Sequence, residues 1–282
     1  MITRRRFLYG LAGVSGLGLG TGYYTSRVEP HWLEIVGRPL PLGQLPDSLI
    51  GARLVQLSDL HIGPQVDDAY LLGVFDRVRE IAPEFVVYTG DFTSFEKDVF
   101  AHAGRVFAHL PLGSRGTFGI LGNHDYGPGW AFEDVGDGIA SLAEEAGVRM
   151  LRNEIAEVDG LQIVGLDDLW ANQFRPAQAL DRFDPGKAAV ALSHNPDTVD
   201  KPGWDGFSGW ILAGHTHGGQ CKPPFLPPPL LPVENRRYTA GEFALPGGRR
   251  MYVNRGVGHL LQVRFNVRPE VTVFRLCREM AC

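Results

Sequence analysis

The sequence predicts an α/β fold built on a sheet that begins parallel and gains antiparallel strands toward its end. From Arg53 onward, short apolar runs alternate with segments of helical length. The runs are continuous rather than alternating, which suits strands covered on both faces. Five of them end in polar clusters, at the strand edge where open α/β sheets bind ligands.

The first run, "RLVQL", leads into Ser58-Asp59-Leu60-His61, and "FVVYT" leads into Gly90-Asp91. "GTFGIL" ends in Gly122-Asn123-His124-Asp125, "AAVAL" in Ser193-His194-Asn195, and "WILA" in Gly214-His215-Thr216-His217. Helical spacing marks residues 67–81, with Leu71, Leu72, Phe75 and Val78 on one side, and residues 96–110. This is β-α-β repetition. "VRMLRNEIAEVDGLQIVGLDD" reads instead as two strands joined directly at Asp159-Gly160, a hairpin signal. "RRYTAGEF", "RRMYVNRG" and "EVTVFRL" read as later strands separated by Pro-Gly-Gly and Arg-Pro turns. No internal repeat is visible. In "KPPFLPPPLLP", residues 222–232, the prolines forbid helix and leave Phe and Leu side chains hard to hide.

With 44% hydrophobic and 21% charged residues among 282, the chain can bury a substantial core. Its formal charge is −5 and no basic run follows residue 6, so no nucleic-acid binding is expected. Cys221, Cys277 and Cys282 lack CxxC spacing, which excludes a zinc knuckle and a thioredoxin-type site and leaves a Cys277–Cys282 bridge open.

The N-terminus has the layout of a targeting segment: Arg4, Arg5 and Arg6, then an uncharged stretch from Phe7 to Ser26. Thr3-Arg4-Arg5-Arg6-Phe7-Leu8 resembles a bacterial twin-arginine export signal. That reading divides the chain into residues 1–26, a signal or anchor, and residues 27–282, the functional domain. It makes the twin-arginine machinery a partner and places the protein in the periplasm or on the outer face of the cytoplasmic membrane. An ordinary secretory signal and a retained anchor are the alternatives. The many glycines argue against a stable span, and no small-x-small cleavage site stands out before Arg27.

If the five strand ends are neighbours in one sheet, Asp59, His61, Asp91, Asn123, His194, His215 and His217 converge on one pocket. Seven ligands exceed what one catalytic divalent ion needs, and they suit two. Carboxylate, amide and imidazole without thiolate select Mn, Fe, Zn or Co. Two ions need a shared ligand, and Asp91 is the candidate bridge. The i, i+2 spacings of Asp59/His61 and His215/His217 put both side chains on one side if the chain is extended there. Asn123 and His124 are adjacent and point apart, so Asn123 can bind metal while His124 faces substrate. His31, His102, His109 and His259 lie outside these clusters. Asp167 and Asp168 end another apparent strand, where an ordinary turn explains them as well as an approach to the site.

Taken in order, Asp59-x-His61, Gly90-Asp91, Gly122-Asn123-His124-Asp125, His194 and Gly214-His215-Thr216-His217 resemble the calcineurin-like metallophosphoesterases. "GHTHGGQ" and "NRGVG…VRFNVRPEV" look like a bacterial phosphodiesterase subgroup of that family. The resemblance implies a four-layer α/β/β/α sandwich of two mixed sheets. It implies Asp59, His61, Asp91 and His217 on one ion, and Asp91, Asn123, His194 and His215 on the other. It also implies a catalytic role for His124, with Asp125 orienting it. Cys221 and the proline-rich stretch after it depart from the familiar pattern at the substrate-facing rim.

The expected activity is metal-dependent hydrolysis of a phosphate ester, in which two ions bind phosphoryl oxygens and supply hydroxide from a bound water while His124 protonates the leaving oxygen. A phosphodiesterase acting on cell-envelope or lipid-linked material is expected, with Phe225, Leu226, Leu230 and Leu231 available to a membrane surface. The alternatives are a phosphomonoesterase or protein phosphatase, and an exported metal-binding protein without turnover. The oligomeric state is not encoded in these signals.

Overall fold

Successive residues of the apolar runs face opposite ways into different cores. In Phe85–Thr89 (β3), Phe85 and Val87 enter one cluster while Val86 and Tyr88 enter another. In Ala188–Leu192 (β8), Ala188, Val190 and Leu192 join Phe85 and Val87, whereas Ala189 and Ala191 face a third cluster. A strand buried on both faces needs a layer on each side, and the shared middle cluster shows that those two strands belong to sheets packed face to face.

The computed structural model describes residues 4–278, within which two six-stranded sheets form. The first runs Glu34–Leu42 (β1), Glu270–Arg278 (β12), Arg53–Leu57 (β2), β3, Gly116–Ile120 (β4) and Arg149–Met150 (β5). The second runs Gly241–Ala244 (β10), Arg250–Val253 (β11), Trp210–Ala213 (β9), β8, Leu161–Gly165 (β7) and Glu154–Val158 (β6). Both are mixed. β12 is antiparallel to β2, and β6 and β10 close the second sheet as antiparallel edges.

Helices Asp68–Ile81 (α2), Val99–Phe107 (α3) and Glu133–Glu145 (α4) cover the outer face of the first sheet. The outer face of the second is covered by Pro176–Leu180 (α5) and by irregular segments carrying Val199, Trp204, Phe207 and Tyr238. The four-layer sandwich is present, with a thin fourth layer.

Two sequence expectations are corrected. The five polar strand ends do not lie on one sheet: β2, β3 and β4 belong to the first and β8 and β9 to the second, so the site is built across the junction of two sheets. The "VRMLRNEI" stretch also divides. Arg149–Met150 pairs with β4, and only after it does the chain cross to form the β6–β7 hairpin. That hairpin turns at Asp159 (φ 51°) and Gly160 (φ 82°), both left-handed as a tight two-residue turn requires.

Helix α2 matches its expected span, capped by the Asp67 carboxylate on the Ala69 N–H at 2.8 Å. Helix α3 is shorter than its pattern, because Glu96 lies in the preceding loop, where it and Asp68 flank the His102 imidazole. These carboxylates outweigh the burial of His102 and raise its pKa. β1 gave no strand signal because Pro39 and Pro41 interrupt it; as an edge strand it tolerates them. Gly136 and Gly138 hide α4 in the same way.

At the N-terminus, Arg4–Tyr23 is helical (α1), and among the described residues no helix is long and apolar enough to cross a membrane. The Thr25 carbonyl already accepts from the Arg264 N–H at 2.9 Å, and the buried Glu29 carboxylate accepts from the Val267 N–H at 2.6 Å. Cys282, and with it the Cys277–Cys282 pairing, lies outside the described residues.

Leu212 on β9 is fully buried between the sheets. Leu212→Ala is expected to lower the unfolding free energy by about 2–5 kcal/mol in urea titration, and an unchanged midpoint would contradict the sheet-on-sheet core.

Candidate metal centre

All seven candidate ligands are buried at the carboxyl ends of β2, β3, β4, β8 and β9. Six of them, all but Asn123, form two groups, Asp59/His61/His217 and Asp91/His194/His215, each with its ligand atoms within 4.8 Å of one another. In the first, His61 Nε2 lies 3.0 Å from His217 Nε2, which lies 3.3 Å from Asp59 Oδ1. In the second, His194 Nε2 lies 3.2 Å from Asp91 Oδ2 and 3.2 Å from His215 Nδ1. Asp91 Oδ2 is also 3.6 Å from His61 Nε2, so one oxygen faces both groups. His215 and His217, one residue apart, divide between them.

This arrangement fits cations. Ring nitrogens facing each other at hydrogen-bond distance cannot both present lone pairs unless something positive lies between them. Both polar atoms of the buried Asn123 amide lack a hydrogen-bond partner, an arrangement otherwise costly in the interior. The outer nitrogens are fixed. His194 Nδ1 donates to the Thr89 carbonyl at 2.7 Å and His61 Nδ1 meets Ser94 Oγ at 3.0 Å, leaving each Nε2 turned inward.

The local backbone differs from the expected extended chain. Asp59 (φ 53°), His61 (φ 50°), Asp91 (φ 53°), His215 (φ 70°) and His217 (φ 49°) all adopt left-handed conformations. Non-glycine residues pay about 1–3 kcal/mol each for this. Cross-links between loops hold them there: the Asp59 N–H donates to the Gly90 carbonyl at 2.9 Å, and the His61 N–H to the Asp91 carbonyl at 3.0 Å. The His215 N–H donates to Asp59 Oδ1 at 3.0 Å, joining the two sheets. Gly122 is required because a Cβ there would stand 2.3 Å from Asp91 Oδ1, and Gly214 because one would stand 1.9 Å from Ser58 Oγ.

Asp125 does not orient the His124 ring. Its oxygens accept from the N–H groups of Phe92, Thr93 and Gly122 and from the Thr93 hydroxyl, at 2.9–3.2 Å. It ties the loop after β4 to the loop after β3. His124 is held through its own N–H, which donates to Asp91 Oδ1 at 2.9 Å, and its half-buried ring stands 5.1 Å from that of His61. Asp168 is buried near the site, its carboxyl pushed up to about 6 by burial against the pull of His194. Asp167 is turned away, bonded to Tyr126 and Arg152.

No motif points directly to Arg264, whose buried guanidinium donates to the carbonyls of Arg255, Gly256 and Gly258 at 2.6–3.1 Å and lies 3.5 Å from His217 Nδ1. It braces the loop packed beneath Asp59 and His217. The only trace of it was its place in the "VRFNV" pattern. His259 lies close by, bonded to the Gln65 carbonyl and edge-on to His31. His109 is exposed.

Burial pushes His61 and His215 down to about 3 and His217 well below the ordinary imidazole range, so these rings are neutral. Burial lifts the Asp59 carboxyl to about 7. Burial also opposes a charged His194, but Asp91 beside it prevails and raises that imidazole to about 10. The same imidazole, with His124, overcomes burial at Asp91 and holds its carboxyl well below the usual range.

A cleft of about 500 Å³ opens onto Asp91, His124, His215 and His217, with Trp130, Trp170, Cys221 and Leu261 in its walls. Burial and Glu29 raise the Cys221 thiol, so it offers no ready thiolate.

Residues 52–219, more than half of the chain, match the family described as calcineurin-like phosphoesterase. The chain belongs to that family. Over 98% of its length and 100% of the relative's, it is 34% identical to phosphodiesterase YaeI of Escherichia coli (strain K12). It is 32% identical to the metallophosphoesterase YkuE of Bacillus subtilis (strain 168), over 98% of each chain. It is 29% identical to UDP-2,3-diacylglucosamine pyrophosphatase LpxG of Chlamydia muridarum (strain MoPn / Nigg), over 92% of this chain and 94% of the other. A calcineurin-like phosphoesterase binds divalent metals, and in this chain two Asp/His groups could form a dinuclear site.

Protons held by His194 and Asp59 in the metal-free protein must leave when a divalent cation binds. Affinity is therefore expected to climb as pH rises through about 7, with proton release visible by calorimetry in buffers of different ionisation enthalpy; pH-independent binding would contradict it. Gly122→Ala is expected to displace Asp91 and lose bound metal, read by elemental analysis.

Proposed function

We propose that the protein is a dinuclear-metal phosphodiesterase that hydrolyses a cell-envelope or lipid-linked phosphate ester. The observation that carries the reading is the position of Asp91 Oδ2, 3.6 Å from His61 Nε2 and 3.2 Å from His194 Nε2, at the seam of two ligand groups. Asp59, His61, Asp91 and His217 would hold one ion, and Asp91, Asn123, His194 and His215 the other. When bound, such ions offset phosphoryl charge and make a water acidic enough to ionise near neutral pH.

The chain's own groups do the rest. His61, His215 and His217 are kept neutral by burial and so keep their lone pairs available near neutral pH. His124 stands at the mouth of the site with its backbone fixed to Asp91, free to donate a proton to the departing alkoxide. A diester suits the cleft better than a monoester, since among the described residues no lysine or arginine lines it to balance a second negative charge.

Export by the twin-arginine route is supported by Thr3-Arg4-Arg5-Arg6-Phe7-Leu8, and it would set the enzyme beside envelope lipids. The relatives named as a phosphodiesterase and as a pyrophosphatase for a diacylated sugar nucleotide agree with that substrate class.

Elemental analysis of the purified protein, combined with rates on bis-p-nitrophenyl phosphate and p-nitrophenyl phosphate, tests the proposal. Two divalent ions per chain and faster diester cleavage are expected. Asp91→Ala should lose both ions and nearly all activity. His124→Ala should keep its metal while turnover falls roughly 10²–10⁴-fold; loss of metal from that variant would remove the acid role assigned to His124.

A further inference from the structure

Away from the ligands, the cleft over the metal centre is apolar. Trp130 and Trp170 stack with ring centroids 4.7 Å apart, and Trp170 stands perpendicular to His215 with centroids 4.4 Å apart, so the aromatic wall begins at the metal groups themselves. Leu230 comes from the proline-rich segment, and Leu260, Leu261 and Val263 from the loop before β12.

The side-chain amide and hydroxyl in these walls are already engaged. The Gln220 amide donates to the carbonyls of Leu261 and Val263 at 3.2 and 3.1 Å, and the Thr216 hydroxyl donates to the Thr239 carbonyl at 2.6 Å. Arg236 donates to the Pro228 carbonyl at 2.8 Å, pinning the proline-rich loop. Leu230 is 80% exposed and Leu261 69%, on segments that these bonds tie to their neighbours. A fixed apolar cleft that starts at a polar centre marks a binding site.

We propose that this cleft is a chain-binding site, in which one hydrocarbon chain of a lipid phosphate ester lies along Trp130, Trp170, Leu230 and Leu261 while its phosphate faces Asp91, His215 and His217. The inference rests on the phosphoesterase reading above and names the part of the substrate that the chain recognises. A peptide is a poorer occupant, since walls this apolar, with the Gln220 amide and Thr216 hydroxyl spent, offer too few partners for its repeating backbone amides. The surroundings agree with a lipid source. Phe225 and Leu226 stand exposed on the loop that carries Leu230, and the stretch from Phe7 to Ser26, which carries no charge, meets the body at Thr25, whose carbonyl accepts from the Arg264 N–H next to Val263.

The test is quenching of tryptophan fluorescence in the full chain, with and without divalent metal, by an alkyl phosphate brominated along its chain. Saturable quenching is expected, absent from a Trp130→Phe/Trp170→Phe variant. Dodecyl phosphate should reverse it at about a hundredfold or more lower concentration than butyl phosphate. Leu261→Asp and Leu230→Asp, both at exposed positions that tolerate a charge, should weaken binding about tenfold or more. No saturable quenching, equal competition by the two alkyl phosphates, or binding indifferent to both leucine variants would overturn the proposal. Hydrolysis of bis-p-nitrophenyl phosphate is measured in parallel. Quenching without hydrolysis by metal-loaded protein counts against the phosphodiesterase reading alone, and hydrolysis without quenching counts against the chain site alone.

Discussion

One buried carboxylate, Asp91, organises the site. Its Oδ2 faces imidazoles from both sheets, its Oδ1 accepts the His124 N–H, and its carbonyl accepts the His61 N–H. A buried anion is costly unless positive charge gathers around it. Within the protein the His194 imidazole, its pKa raised by Asp91, supplies that charge, and in a loaded site metal would. The paired imidazoles, the glycines at 122 and 214 and the close meeting of the loops all follow from bringing ligands to that point.

Holding five ligands in left-handed backbone is a cost of several kcal/mol that local sequence does not offset. The compensation is distributed. Loop-to-loop hydrogen bonds hold these conformations, at Asp59 and His61 from the neighbouring loop of the same sheet and at His215 from Asp59 across the two sheets, and Asp125 and Arg264 brace the loops from behind. Catalytic geometry and sheet packing are therefore one problem: the groups that could hold the ions are rigid because the two sheets are locked together around them.

Much of this was legible in the chain. Runs such as "FVVYT" and "WILA" announce doubly covered strands, and the polar residue that follows each one announces the ligand set. What escaped reading depends on three-dimensional context. Apolar runs do not say which sheet a strand joins, so the resemblance implied two sheets while only the structure places β8 and β9 in the second. The i, i+2 spacing of Asp59 and His61 mimics an extended strand end, although the chain there is left-handed. Asp125 follows a catalytic candidate in sequence yet serves the backbone of a neighbouring loop. Arg264 looks like any surface arginine until carbonyls more than five residues before it close over it. Prolines disguised β1, whose edge position excuses them.

The place of β12 between β1 and β2 bears on how a nascent chain could mature. Every ligand, from Asp59 to His217, emerges before Glu270–Arg278, so the ends of β2, β3, β4, β8 and β9 can meet while one side of β2 still lacks its neighbour. Until Glu270–Arg278 arrives, that side is an open template for foreign strands, and β1 has nothing to pair with. Pairing with β2 on one side and β1 on the other, this one strand closes the open side of the sheet and gives β1 its place at the edge.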